Sequence, residues 1–439
     1  MNTLPPSETL EAAARSSEQL HRLRAMLDAI LPANAFYQRK LTAAGVTQGR
    51  DIATFDDYAQ LPFTSKRELS ENQAATPPYG TNLTFPTARY VRMHQTSGTT
   101  GRPLRWLDTE ESWTWFGASW AEVFRAAGVG ANDSIFFPFS FGPFIGFWTA
   151  YEGARQLGAM ALPGGAMSSE QRVRAIVDHQ ATVVVSTPTY ALRLAEVADR
   201  IGVDLAASDV RVTIHAGEPG AGIPGTKRRI EEAWGATCFD HAGATEVGAW
   251  GFECGAHAGM HLNEAEFICE VIDPDTDEPA EEGELVLTNL GRVGMPVIRY
   301  RTGDHVRLAA GPCECGRTFR RLAGGVIGRI DDALLVRGVV VFPSAVESIV
   351  RLFPDVGEFA IHVRRTGELD QLTVQVEAPM GPRDGPTTDA VADALREALG
   401  LRVAVEAVAA GTLPRFDLKA RRVTDHRRPN PDRIEDAVT

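Results

Sequence analysis

Gln95-Thr96-Ser97-Gly98-Thr99-Thr100-Gly101-Arg102-Pro103 follows an apolar run at Tyr90–Met93 that reads as a short strand. Its two glycines let backbone N–H groups approach an anion closely, and the flanking hydroxyls add donors. Such a loop suits a polyphosphate, although a Ser/Thr/Gly loop after a strand is more often only a turn. A Walker A loop is absent, which disfavours a P-loop ATPase or kinase. Downstream, short β-branched or aromatic runs (Ile135–Phe139, Ala159–Leu162, Thr182–Ser186, Val210–Ala216) alternate with helically periodic segments (Ser169–His179, Thr189–Gly202). That alternation predicts an α/β protein whose sheet is mostly parallel and helix-covered. Upstream, Leu20, Leu23, Met26, Leu27 and Ile30 mark residues 8–45 as helical.

Past Tyr300 the chain turns loop-rich around Gly311–Gly316 and reaches Gly328-Arg329-Ile330-Asp331-Asp332. A strand (Leu334–Val341), a helix (Ser344–Leu352), strands at Glu358–Arg364 and Gln371–Glu377, a helix (Thr387–Leu399) and a strand (Val403–Val408) follow, a unit of ordinary domain size. We therefore expect two domains, 1–330 and a small α+β domain at 331–439. With 439 residues, two unequal cores are the natural arrangement. A net charge of −13 argues against a broad nucleic-acid-binding face. The basic run Arg415, Lys419, Arg421, Arg422, Arg427 and Arg428 is either a solvated tail or a landing site for a polyphosphate. No window is apolar enough to span a bilayer, and the N-terminus lacks a signal-peptide layout, so a cytoplasmic protein with no membrane partner is expected. Five scattered cysteines do not make a disulfide framework.

Further motifs stand in a fixed order: His215-Ala216-Gly217-Glu218-Pro219, Asp240-His241-Ala242-Gly243-Ala244-Thr245-Glu246, Tyr300-Arg301-Thr302-Gly303-Asp304 and Pro414-Arg415-Phe416-Asp417-Leu418-Lys419. With the loop at 96–103, the series resembles the adenylate-forming superfamily across residues 61–427. The entry Leu61-Pro62-Phe63-Thr64-Ser65-Lys66-Arg67-Glu68-Leu69 and the block Gly338–Ser348 make it similar to the phenylacetate–coenzyme A ligase branch. The resemblance implies a large adenylation domain, a small mobile C-terminal domain, and the use of ATP, Mg²⁺ and coenzyme A. It places Thr96, Ser97, Gly98, Thr99, Thr100 and Gly101 on the phosphates, and Ala216, Gly217, Glu218, Pro219, Asp240 and His241 along the nucleotide. Asp304 falls on the ribose and Arg329 on the ribose or phosphate, with Asp331 as hinge. Glu246, beside Thr245, would hold Mg²⁺, and Lys419 would bridge the acyl carboxylate and the α-phosphate. Joining two anions and expelling pyrophosphate needs such positive charge. An isolated lysine is ordinarily a surface residue, so Lys419 stands out only through the motifs around it.

Two positions depart from the family pattern. Ala242 stands where an aromatic residue is usual, which implies a roomier or reshaped site, and Val340 replaces an expected asparagine. Phe141-Gly142-Pro143-Phe144-Ile145-Gly146-Phe147-Trp148, together with His215, Ala242 and Gly243, is the candidate acyl pocket. Its residues Phe141, Gly142, Phe144 and Trp148 are equally compatible with ordinary core packing. An apolar slot with one or two polar groups fits a benzoate- or phenylacetate-like acid. Cys254, Cys313 and Cys315 with His261, or His257 in its place, offer the three sulfurs and one nitrogen that structural Zn²⁺ favours. Family analogy adds a possible homodimer. The acyl acceptor is open between coenzyme A, a carrier-protein thiol and another nucleophile. A non-catalytic binding relative and a zinc hydrolase are the readings from other classes.

Overall fold

The computed structural model describes residues 4–96, 103–143, 145–366, 369–378, 384–416 and 419–427. The alternating middle of the chain gives five parallel strands, ordered across the sheet Met160–Pro163, Ser134–Phe137, Val183–Ser186, Val212–His215 and Thr237–Ala244. Val183–Ser186 and Val212–His215 are buried along their whole length, as strands covered on both faces must be. One face carries the helices Glu110–Ala126 and Trp148–Leu157, whose Trp120, Phe124, Ala150 and Ala154 pack on Ile135, Phe137, Val185 and Ile214. The other carries Ser169–Asp178, Pro188–Ile201 and Pro224–Trp234, with Ile176, Leu194, Ile230 and Trp234 against Phe136, Val184 and Cys238. Side chains that satisfy the first N–H groups begin three of these helices, with Thr109 capping Glu110–Ala126 through Ser112 N. Ser168 and Gln171 form a reciprocal capping box, and the Thr187 hydroxyl accepts from Tyr190 N.

The sheet is mixed where the alternation pattern led us to expect it mostly parallel. Past Thr237–Ala244 it continues through antiparallel strands Gly248–Glu253, Met260–Leu262, Arg321–Arg329, Tyr300–Leu308, Glu282–Asn289 and Phe267–Ile272, reaching eleven strands. The reason is connection length: parallel neighbours need a crossover of about a dozen residues or more, and turns such as 245–247 leave only a hairpin. The N-terminal helical run is split into Ala12–Ile30 and Ala35–Ala43, with Pro32 in the break and Asn34 capping the second helix through Tyr37 N. Leu23, Leu27, Ile30 and Leu41 share a core with Leu285, Leu287 and Ile298 of the antiparallel half.

A single turn, Ile330–Asp332, leads out of the large sheet. The segment read as one strand at 334–341 is a hairpin, Leu334–Val336 with Val339–Val341, turning at Arg337-Gly338. Helix Pro343–Val350 follows. Beyond it lies a four-stranded sheet ordered Ala404–Val408, Leu369–Glu377, Phe359–Thr366 and Val423–Asp425, covered by Asp384–Leu399. Val346, Ile361, Val374, Val391 and Leu395 form its own core. Among the described residues no helix is long and apolar enough to cross a membrane.

Candidate active site

The motifs converge at the carboxyl ends of the parallel strands, where open α/β sheets ordinarily bind ligands. Val212–His215 delivers its chain into Ala216-Gly217-Glu218. Gly217 has φ +96°, and a Cβ there would meet Lys419 Cε at 3.1 Å and Nζ at 3.8 Å. The left-handed backbone and the close lysine both call for glycine. Glu218 next to it bridges two distant segments: Oε1 accepts Thr189 N at 3.0 Å, and Oε2 accepts Ala420 N at 2.7 Å. Burial raises the Glu218 pKa. Enclosure by the two halves of the chain lowers that of Lys419, with the Glu218 charge opposing and Arg329 reinforcing the shift.

Glu246 follows the Thr237–Ala244 strand and is buried, with Lys66 Nζ 3.4 Å from its Oε1. No donor among the described residues is bonded to its Oε2. Lys66 opens the helix Lys66–Ala75. A cation is disfavoured by the helix dipole at that end, so helix stability does not explain this lysine. The Thr245–Glu246 backbone is held from behind by Arg292, whose Nη1 donates to Thr245 O at 2.7 Å and Glu246 O at 3.1 Å. Arg292 in turn pairs bidentately with Asp108 at 2.7 and 2.8 Å, both side chains 0% exposed. Trp106 and Phe116 lie against its guanidinium.

On the far side of the cleft Arg329 Nη1 donates to Asp304 Oδ1 at 2.9 Å and to Thr302 O at 2.7 Å, while Asp331 stands 3.7 Å from Arg329 Nη2 and is largely exposed. Burial raises the Asp304 pKa against the pull of Arg329. Asp240 is enclosed, and burial, with the charge of Glu253 added, pushes it up to about 8 against the pull of Lys227. Its Oδ2 faces two glycines: a Cβ on Gly222 or Gly325 would lie 2.8 or 3.0 Å from it. Ala242 is buried beside Met260, whose thioether packs on Gly251.

The aromatic run forms a continuous wall. Phe141 contacts Phe139 (ring centroids 4.7 Å apart), Trp148 (4.5 Å) and Tyr151 (5.6 Å), and Trp148 Nε1 donates to Gly142 O at 3.1 Å. The two histidines part company across the sheet. Strand alternation puts His215 with Thr213 on the face of the Pro188–Ile201 and Pro224–Trp234 helices. Burial there pushes it down to about 3. His241 lies on the opposite face, its ring 4.1 Å from Trp120. Thr96 is buried, its hydroxyl accepting Leu104 N at 3.1 Å. Ser97, Gly98, Thr99, Thr100, Gly101 and Phe144 lie outside the described residues.

Cys254, His261, Cys313 and Cys315 come together with their ligand atoms within 4.8 Å of one another. Cys254 Sγ and Cys313 Sγ are 3.7 Å apart, and Cys315 Sγ is 3.4 Å from His261 Nε2. His257 is engaged elsewhere, with Nδ1 3.1 Å from Glu253 and 3.0 Å from Lys227 Nζ. Sequence reading singled out neither Lys66 nor the Arg292–Asp108 pair. Lys66 had one legible signal, a lysine opening a Ser-capped helix. The buried pair had none.

Glycine-turned strand ends carrying Glu218, Glu246 and Asp304, with Lys419 brought against Gly217 from the residues after Arg329, are the arrangement of an adenylate-forming enzyme. The family model for the AMP-binding enzyme C-terminal domain matches residues 338–427. The chain belongs to the phenylacetate–coenzyme A ligase family. It is 33% identical over 437 residues to the phenylacetate–coenzyme A ligase of Pseudomonas putida, covering 97% of each chain. To that of Escherichia coli (strain K12) it is 32% identical over 438 residues, 97% of this chain and 98% of the relative. Among solved structures, 2-hydroxyisobutyryl-CoA ligase in the postadenylation state with its acyl-AMP superposes with a TM-score of 0.91 at 30% identity, covering 97% of this chain and 94% of that one. The same ligase with acyl-AMP and CoA in the thioesterification state gives 0.72, at 32% identity over 97% and 94%.

Proposed function

We propose that the protein joins an aryl carboxylic acid to ATP, forming acyl-AMP and pyrophosphate, and passes the acyl group to coenzyme A. The observation that carries this reading is the docking of Lys419 on Gly217. In the first step an oxygen of the acid attacks the α-phosphorus, and the bond to pyrophosphate breaks. Lys419 lies between the two anions and offsets the charge gathering on the α-phosphoryl oxygens. Asp304 exchanges Arg329 for the ribose hydroxyls, and Asp240 and the Ala216–Pro219 segment border the base. Glu246, whose Oε2 meets no donor among the described residues, is suited to hold Mg²⁺, which would shield the phosphates. In the second step the thiol sulfur attacks the acyl carbonyl and AMP leaves.

The second unit, residues 331–439, would turn about Asp331 between the two steps. The higher superposition on the postadenylation structure (0.91 against 0.72) supports an adenylation-side arrangement of the chain. Glu218 is the latch of that arrangement, because its two carboxylate oxygens tie the Ala420 peptide to the Thr189 peptide, beside the Arg415–Glu196 pair. Glu218→Gln replaces one acceptor oxygen with an amide NH₂ facing another N–H. Pyrophosphate release is expected to fall about tenfold, the worth of one charge-assisted hydrogen bond. Thioester formation from a prepared acyl-adenylate should be spared. Equal losses in both steps would remove the latch role.

Aromatic walls favour an aryl acid, although the aliphatic substrate named for a structural relative makes the acid a matter for assay. The experiment is pyrophosphate release from ATP–Mg²⁺ with benzoates, phenylacetates and aliphatic hydroxy acids, with and without coenzyme A. Acid-dependent release that turns over repeatedly only with coenzyme A supports the ligase. Release indifferent to coenzyme A points to a carrier-protein thiol or another acceptor. No release from any acid defeats the reading.

The Cys254–His261–Cys313–Cys315 cluster fits structural zinc. Zn–S bonds of about 2.3 Å in a tetrahedron put sulfurs about 3.8 Å apart, and the Cys254–Cys313 separation is 3.7 Å. Four protein ligands leave no open position for catalysis. The site would staple the turn after Gly248–Glu253 to the Pro312–Gly316 loop, next to which Arg317 grips Glu8 at 2.5 Å. Purified protein is expected to carry one zinc per chain by elemental analysis. Cys313→Ser should lose it and melt several degrees lower. A metal-free wild type with an unchanged melting temperature under chelator would defeat the assignment.

A further inference from the structure

We propose that His241 is the specificity-determining residue of the acyl pocket, and that the pocket selects an aromatic acid whose ring carries a hydroxyl or amino hydrogen. The inference rests on the ligase reading above and narrows its substrate class. The sequence reading puts His241 along the nucleotide, and the strand turns its ring toward the aromatic wall, with Trp120 at 4.1 Å and, behind Trp120, Phe147 and Phe139. The ring is 4% exposed. Its Nδ1 is 2.6 Å from Gly251 O. A carbonyl only accepts, so Nδ1 carries the proton and Nε2 presents a lone pair. Burial keeps the ring neutral by pushing its pKa down to about 4, against the Gly251 carbonyl.

No donor among the described residues meets that lone pair. It points toward Gly243, where a Cβ would stand 3.2 Å from Nε2. Gly243 is exposed and has no side chain to cover this edge of the ring. A carboxylate would be repelled by a second acceptor, so the acid group belongs at the Lys419 end and the ring at the His241 end. An unsubstituted ring then buries Nε2 against C–H groups and loses the hydrogen bond that water had supplied. A ring O–H or N–H restores it. The discrimination expected from one neutral buried acceptor is of order ten- to a hundredfold.

The test is kcat/KM for acid-dependent pyrophosphate release. It compares benzoate and phenylacetate with their hydroxy and amino derivatives at each ring position, on wild type, His241→Leu and His241→Gln. At one ring position the hydroxy or amino acid should exceed its parent at least tenfold. That ratio should collapse toward one in His241→Leu, which has no acceptor, and survive in part in His241→Gln, which keeps one. Wild type should also reject the methyl ether of the preferred hydroxy acid, a comparison that needs no variant to fold. Parent acids used as well as their derivatives, or a preference that persists in His241→Leu, overturn the proposal and leave the ligase intact. No release from any acid takes down both.

Discussion

Lys419→Ala is expected to lower acid-dependent pyrophosphate release about a thousandfold, while thioester formation from a prepared acyl-adenylate falls less than tenfold. The lysine reaches the strand ends only because the second unit docks there, with Ala420 N on Glu218 and Lys419 Cε against Gly217. Removing a cation aimed at developing charge in an enclosed site costs about a hundred- to a thousandfold per donor. Here the lost group is a full charge, so the upper end applies. Lys419→Arg should rescue little, because a planar fork does not replace a point charge packed 3.8 Å from where a Cβ on Gly217 would stand. Measuring the two half-reactions separately decides the matter. Equal losses in both would mean that Lys419 serves the fold or the second step, and the proposed division of labour would fall.

What the sequence made legible divides along physical lines. Motifs whose job is local read well: Gly217 needs its positive φ in any context, and the Asp240–Glu246 run carries its groups within one strand and turn. Most secondary elements after Arg329 also read well, since they share a core of their own, although the strand read at 334–341 is a hairpin and Val423–Asp425 was not anticipated. The grouping of Cys254, His261, Cys313 and Cys315 was legible from ligand chemistry, and the fold brings their ligand atoms within 4.8 Å of one another while His257 meets Glu253 and Lys227. The antiparallel half was missed because alternation in the middle of the chain says nothing about turns further on. Face and register hid the rest. Whether His215 or His241 meets the aromatic wall depends on strand parity at the sheet, and Lys66 meets Glu246 from a helix far away in sequence.

Arg292→Ala is the substitution expected to cost the most stability, about 3–5 kcal/mol. Arg292 and Asp108 are 0% exposed and bonded through two parallel contacts, so removing the arginine strands a carboxylate in apolar surroundings of Trp106 and Phe116. Leaving one ion of a buried pair is far worse than removing both, because the desolvation of the survivor is no longer offset. Arg292→Met with Asp108→Leu should therefore recover most of the lost stability in denaturant melts, although each single change is severe. Activity should not recover with it. The carbonyls of Thr245 and Glu246 lose their donor in every variant lacking Arg292, so the turn carrying Glu246 is free to shift. Small misplacements of a catalytic group cost roughly a hundredfold, and the double variant should stay about that far below wild type in pyrophosphate release. A double variant that regains both stability and rate would show that Arg292 serves packing alone. One that regains stability but not rate would show that the buried pair exists to aim Glu246.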